Sequence, residues 1–140
     1  MIHRPQGTQS MILIEPDAAF RRQLTQFFAS SYTVNSFASG QDALLTTDVP
    51  DIVVAEVALK GHSIFEFLYE YRTYADCQNV PVVLYTSVQI KDEILSSRSW
   101  KQLNVHYAYK PDISVSQLNQ KLAVLLAGND GSTENNSATN

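Results

Sequence analysis

Residues Pro50–Val57 read PDIVVAEV, an unbroken apolar, β-branched run entered through Pro50 and Asp51 and interrupted near its end by Glu56. A strand that is apolar on both sides has to be covered on both sides, which is the position of an interior strand in a parallel sheet. Working outward, Met11–Ile14 and Pro81–Tyr85 are runs of the same kind. Tyr32–Phe37 alternates apolar and polar residues, and Val105–Tyr109 supplies a fifth strand before Pro111.

Helical patterns fill the intervals. Asp17 caps a helix whose apolar positions Phe20, Leu24, Phe27 and Phe28 recur at spacings of three and four. Ser39 and Asp42 have capping-box spacing at a short helix over Ser39–Leu45, and Ser63 and Glu66 box a helix with Ile64, Phe67, Leu68 and Tyr71 on one face. A fourth helix is expected from Ile90 to Ser99. Ser114 and Gln117 open a fifth, carrying Leu118, Leu122 and Leu125. Five strands alternating with five helices predict a doubly wound α/β domain with a parallel sheet and right-handed crossovers.

Composition agrees. The chain has 140 residues, 44% hydrophobic and 17% charged, with a formal net charge of −4, which is the profile of one globular domain. The acidic balance, with a pI of about 5.2, argues against a nucleic-acid footprint. Cys77 is the single cysteine, so no internal disulfide can form; it has no basic neighbour in sequence and is expected to be inert. No apolar run approaches the ~20 residues of a membrane span, and a soluble, cytoplasmic protein is expected. The expected organisation is a flexible N-terminus over 1–10, a domain over 11–127 and a disordered polar tail over 128–140. His3, His62 and His106 have no partner pattern that would make them ligands, and Trp100 is expected as a surface or packing residue beyond the fourth helix.

In open parallel sheets chemistry collects beyond the carboxyl ends of the strands. The first run is followed by Glu15, Pro16 and Asp17, the third delivers Glu56, the fourth Thr86 and Ser87, and the fifth Lys110. Carboxylates, a hydroxyl and a lysine are therefore expected at one sheet edge.

Four segments, Ile12–Asp17 (ILIEPD), Pro50–Val57 (PDIVVAEV), Pro81–Ser87 (PVVLYTS) and Tyr107–Pro111 (YAYKP), resemble the receiver domain of bacterial two-component response regulators. The likeness spans Met11 to about Leu126. It implies a flavodoxin-like (βα)5 sheet of strand order 2-1-3-4-5. It implies that Thr86 matches the hydroxyl that senses the phosphoryl group, Lys110 the lysine that pairs with it, and Tyr107 the aromatic that changes rotamer on activation.

The departures bear on function. The phosphoacceptor aspartate of the family is here Glu56, and Asp51 cannot replace it: five residues at about 3.3 Å each put it roughly 16 Å away. Pro16 stands where the family has the second acid of its metal pair, leaving Glu15 and Asp17, with Glu56, as weak candidate magnesium ligands. Lys60 replaces a usual proline and Ile64 a usual glycine. The expected function is a stand-alone, atypical receiver without enzymatic activity or cofactor, binding a signalling protein such as a histidine kinase or a downstream effector without being phosphorylated. A homodimer through the fourth helix, fifth strand and fifth helix is an alternative use of that face, where Ile94, Trp100, Tyr107 and Tyr109 are expected. Glu56 with Lys110 is equally readable as a structural ion pair, Thr86 as a cap of the fourth helix, and Tyr107 as a packed strand aromatic. Two other functions compete: a working phosphorelay receiver with an unusual acceptor, and a flavodoxin-like cofactor protein. The Glu15-Pro16-Asp17 turn, acidic and without a phosphate cradle, disfavours the second.

Overall fold

A computed structural model describes residues 8–46, 48–59 and 63–128. The expectations for the chain ends 1–7 and 129–140, and for Lys60, His62 and His3, lie outside the described residues.

The strands are β1 (Gln9–Ile14), β2 (Tyr32–Phe37), β3 (Ile52–Ala55), β4 (Val82–Thr86) and β5 (Val105–Tyr109). They form one parallel sheet in the order β2-β1-β3-β4-β5, as expected. The helices are α1 (Ala18–Phe28), α2 (Gly40–Leu44), α3 (Ile64–Tyr71), α4 (Asp92–Leu95), α5 (Arg98–Leu103) and α6 (Val115–Gly128). The alternation of side chains along each strand divides the apolar runs between two cores. Ile12, Ile14, Val53, Ala55, Val82 and Leu84 pack against α2, α3 and α5, while Met11, Leu13, Ile52, Val54, Val83 and Ala108 pack against α1 and α6. Each fully buried Leu, Ile, Val or Phe side chain contributes about 1.5–3 kcal/mol by leaving water, and this two-sided burial holds the sheet that carries the site.

β4 runs one residue later than the expected Pro81–Tyr85, and three further boundaries move. β1 begins at Gln9 rather than Met11, because Gln9 and Ser10 pair with Tyr32 and Thr33 of β2, and Ser10 is also tied to Asp51: the Ser10 amide donates to Asp51 Oδ2 at 2.7 Å and the Asp51 amide to the Ser10 carbonyl at 2.9 Å. Gln9 and Ser10 thus belong to the sheet, and Gly128 closes α6 rather than opening a tail. β3 ends at Ala55, so Glu56 stands one residue beyond it.

The expected fourth helix is two helices. α4 ends after Leu95, and Ser97 starts α5 by accepting a hydrogen bond from the Trp100 amide at 3.2 Å. A serine that can bond the backbone locally competes with helix continuation and favours a fresh cap. The restart turns Trp100 inward, where it is 7% exposed. It belongs to the core, with Phe65 edge-on to its ring, and not to an outer contact face. Asn104 then ends α5 in the left-handed region, φ 56°, which asparagine tolerates better than most residues.

The Ser63 and Glu66 box forms as expected, each side chain accepting from the other's amide, at 3.0 and 2.9 Å. Ser114 and Gln117 pair in the same reciprocal way. Ser63→Ala should lower stability by about 1 kcal/mol in urea denaturation; an unchanged midpoint would mean that packing of Ile64 and Phe67 alone sets the start of α3.

Candidate functional site

The site is built by three residues that each stand just past a strand and still donate to the neighbouring strand. The Glu15 amide bonds the Phe37 carbonyl at 2.9 Å, the Glu56 amide the Ile14 carbonyl at 2.9 Å, and the Lys110 amide the Thr86 carbonyl at 2.8 Å. The sheet's hydrogen-bond register therefore fixes the backbone of all three at one edge.

Their side chains converge. Lys110 Nζ lies 2.8 Å from Glu56 Oε1 and 3.3 Å from Glu15 Oε1. The second oxygen of Glu15 accepts from the Asp17 amide at 3.1 Å. The second oxygen of Glu56 accepts from the Ala58 amide at 3.0 Å and from the Thr86 hydroxyl. Glu15 and Glu56 are 4% and 7% exposed and Thr86 is fully buried, so these bonds form largely out of water, where each is electrostatically stronger. With two carboxylates against one ammonium, the cluster carries one net negative charge.

Burial pushes the Glu56 carboxyl up, but the hydrogen bonds from Lys110, Thr86 and the Ala58 amide, with the charge on Lys110, outweigh it and hold it below its ordinary value. The ammonium of Lys110 is disfavoured by burial, yet the hydrogen bond to Glu56 and the charges on Glu15 and Glu56 raise it on balance.

Of the sequence-derived set, Glu15, Glu56, Thr86 and Lys110 come together. Asp17 does not join them through its carboxylate, which caps α1 by accepting from the Phe20 amide at 3.0 Å. Asp51 sits at the opposite end of β3, fastened to Ser10. Thr86 does not cap a helix: its hydroxyl donates to Glu56 and accepts from the Val88 amide at 3.0 Å. Tyr107 is half-buried, and its hydroxyl donates to the Val88 carbonyl at 2.9 Å and accepts from the Ile90 amide at 3.1 Å. Glu56, Thr86, the 86–90 loop and Tyr107 are thereby linked bond by bond.

Three participants were not read from the sequence. Lys110 Nζ stands 4.4 Å from the centroid of Phe20 and 5.6 Å from that of Tyr85, within reach of a cation–π attraction. The Ala58 amide is the third donor to Glu56. Phe20 was legible only as a core position of α1; its place in the first turn, at the strand-exit edge, was the available signal.

Among the described residues, no group of three or more His, Cys, Asp or Glu side chains converges on a point where a metal ion would sit.

No family model matches the chain, and no curated protein matches it. Solved structures do. The signal receiver domain of a signal transduction histidine kinase from Syntrophus aciditrophicus aligns over 89% of this chain and 95% of its own, with TM-score 0.74 and 17% identity. The receiver domain of the sensor histidine kinase PA1611 from Pseudomonas aeruginosa PAO1, with magnesium coordinated in its active-site cleft, aligns over 86% and 98%, with TM-score 0.71 and 18% identity. The BeF3-activated DrrB receiver domain aligns over 86% and 98%, with TM-score 0.73 and 17% identity. The chain has the receiver fold.

Proposed function

We propose that this chain is a receiver-type module of two-component signal transduction that works by binding a partner protein, without enzymatic activity and without being phosphorylated. The observation that carries this reading is the Glu56 carboxylate, bonded at once to the Thr86 hydroxyl and the Lys110 ammonium. These are the groups that the resemblance assigns to the phosphoryl. Glu56 reaches them with its own charge of −1, against about −1.5 to −2 for a phosphate ester.

The donor set supports a metal-free site. Magnesium needs near-octahedral oxygen coordination. Pro16 offers only its carbonyl, the Asp17 carboxylate caps α1, and all four carboxylate oxygens of Glu15 and Glu56 are engaged by protein donors. The positive charge among the carboxylates is the ammonium of Lys110. These residues as arranged do not fit a magnesium ion.

Chemistry at Glu56 has a route to the surface through Thr86, Val88 and Tyr107. The outlet is the face around α4 and β5, where Val88 and Ile94 are 41% and 47% exposed. Exposed apolar groups on a polar rim suit a protein partner, whether a histidine kinase, a downstream effector or a second copy of the chain.

The test is incubation with acetyl phosphate and magnesium, followed by intact-mass measurement and amide NMR. The expected result is an unmodified mass, with no saturable shift at Glu56, Thr86, Tyr107 or Lys110 on adding magnesium and then beryllofluoride. A phosphoryl adduct would instead make this a working receiver with an unusual acceptor. Glu56→Gln, which removes the charge, should move the amide signals of Val88, Ile90 and Tyr107. Changes confined to the neighbours of Glu56 would reduce the cluster to a structural ion pair.

A further inference from the structure

Tyr85 and Thr86 are consecutive in β4, so their side chains leave opposite faces of the sheet. Thr86 shares the side of Leu84, and its hydroxyl meets the Glu56 carboxylate and the Val88 amide. Tyr85 takes the face of α1 and α6, where it is 4% exposed and packs in one core with Leu118 and Leu122. On that face its ring stands 5.6 Å from Lys110 Nζ, and the Phe20 ring stands 4.4 Å from the same ammonium. The two partners of one ion pair are thus each met by one of two neighbouring strand residues, from opposite sides of the sheet.

The Tyr85 hydroxyl extends the contact to Lys110 further along the chain. It donates to the Ile113 carbonyl at 2.7 Å. Burial raises its pKa above the ordinary 10.0, although the Lys110 charge works the other way, so it is a donor at neutral pH. The Ile113 amide in turn bonds the carbonyls of Tyr109 and Lys110 at 3.1 and 3.3 Å. Ile113 is therefore clamped through both its amide and its carbonyl. The next residue, Ser114, opens α6 through its reciprocal bonds with Gln117, and Ile113 and Val115 pack against the core that holds Tyr85. A buried phenol that satisfies a loop carbonyl is ordinarily structural. What sets this one apart is the ammonium within cation–π reach of its ring. The Lys110 side chain is 18% exposed, so that contact is made largely out of water, where electrostatic interactions are strongest.

We propose that Tyr85 is a positioning residue that carries the state of the Glu56–Lys110 pair to the start of α6, on the face of the sheet opposite the Thr86–Tyr107 chain of bonds. When the charge of Glu56 is lost, Lys110 is left with the Glu15 carboxylate at 3.3 Å and the two rings. The ammonium then shifts between them, the Tyr85 ring follows, and its hydroxyl moves the Ile113 carbonyl. One carboxylate is thereby felt on two faces, through Thr86 on the side of α4 and through Tyr85 on the side of α6. The proposal rests on the reading of Glu56 as a signalling group and adds a second outlet to it.

The experiment records NMR spectra of the full chain, of Glu56→Gln, of Tyr85→Phe and of the double variant, a double-mutant cycle read at single residues. Glu56→Gln alone should shift the amides of Val88, Ile90 and Tyr107 and also those of Ile113, Ser114 and Val115. In the Tyr85→Phe background the first set of shifts should persist, while the second shrinks to less than half. A hydroxyl that only props the loop would move the spectrum of Tyr85→Phe but not this difference. The Lys110 side-chain methylene next to Nζ supplies a readout that leaves Tyr85 in place. It lies near the Phe20 and Tyr85 rings, and its signal should move on Glu56→Gln. An unmoved methylene signal would overturn the proposal. Shifts at Val88, Ile90 and Tyr107 with none at Ile113, Ser114 and Val115 would overturn it and leave the reading of Glu56 intact. Equal shifts with and without the Tyr85 hydroxyl would do the same, assigning the coupling to the backbone between Lys110 and Ile113. Changes confined to the neighbours of Glu56 would overturn both.

Discussion

Lys110→Met should destabilise the fold by about 3–5 kcal/mol at neutral pH, because removing one member of a buried charge cluster leaves the others uncompensated. Methionine keeps most of the side chain's length, so the change isolates the ammonium. Glu15 and Glu56, whose side chains are 6% and 9% exposed, would face each other with no cation between them. In that variant the Glu56 carboxyl should titrate higher than in the parent, having lost both the hydrogen bond and the charge that hold it down. The deficit is therefore expected to shrink as pH falls. In the parent the signs are opposite and bracket a window. The lowered Glu56 contributes stability that is present above its ordinary 4.5 and is lost as pH drops through its folded value. The raised Lys110 contributes stability that is present below its ordinary 10.5 and is lost as pH climbs through its folded value. Urea denaturation across pH measures both, and the triple variant Lys110→Met, Glu15→Gln, Glu56→Gln should recover much of the loss. A single variant within 1 kcal/mol of the parent would mean that water reaches the cluster far more freely than its burial implies.

Arg72→Met should cost a similar amount, about 3–5 kcal/mol, for a different reason. The Arg72 guanidinium donates to four main-chain carbonyls: Leu103 from Nε at 3.0 Å, Cys77 and Val80 from Nη1 at 2.7 and 2.8 Å, and Asn104 from Nη2 at 2.9 Å. One side chain at the end of α3 thus holds the turn before β4 and the corner between α5 and β5. Burial lowers its pKa, the cost of keeping that charge among carbonyls. Methionine would leave the part-buried carbonyls of Leu103, Cys77 and Val80 without a donor. Arg72→Lys is the informative control, since a single ammonium cannot span four acceptors set around a planar fork. It should regain less than half of the loss in urea denaturation. Full recovery by lysine would show that charge, and not geometry, holds the corner.

The two clusters differ in how far the sequence discloses them. Glu15, Glu56, Thr86 and Lys110 were readable because each closes an apolar run, and the ends of strands in a parallel sheet meet at one edge. Strand order followed from the likeness of four segments to receiver domains. Arg72 was invisible because its partners are carbonyls at sequence separations of 5 to 32, which carry no side-chain signature. The break between α4 and α5 was within reach: Ser96 and Ser97 interrupt the run from Ile90 to Ser99, and serine is a better cap than a helix interior residue. Reading that stretch as one helix left Trp100 open between surface and packing and put it on the expected contact face; it is a packing residue. The role of Asp17 divided the other way. Its position one residue before α1 announced the cap, and the cap removes its carboxylate from the cleft.

The amides of Val88 and Ile90 give their protons to the hydroxyls of Thr86 and Tyr107 and not to a strand carbonyl. Their protection against deuterium uptake depends on two side chains staying in place, and a local opening of the 86–90 loop is enough to release it. The amides of Glu56 and Lys110, bonded into the sheet, need a deeper opening. The molecule is therefore expected to carry two internal clocks, read by amide exchange at these two pairs of residues. The faster one times the loop that joins the buried carboxylate to the outer face, independently of the stability of the sheet beneath it.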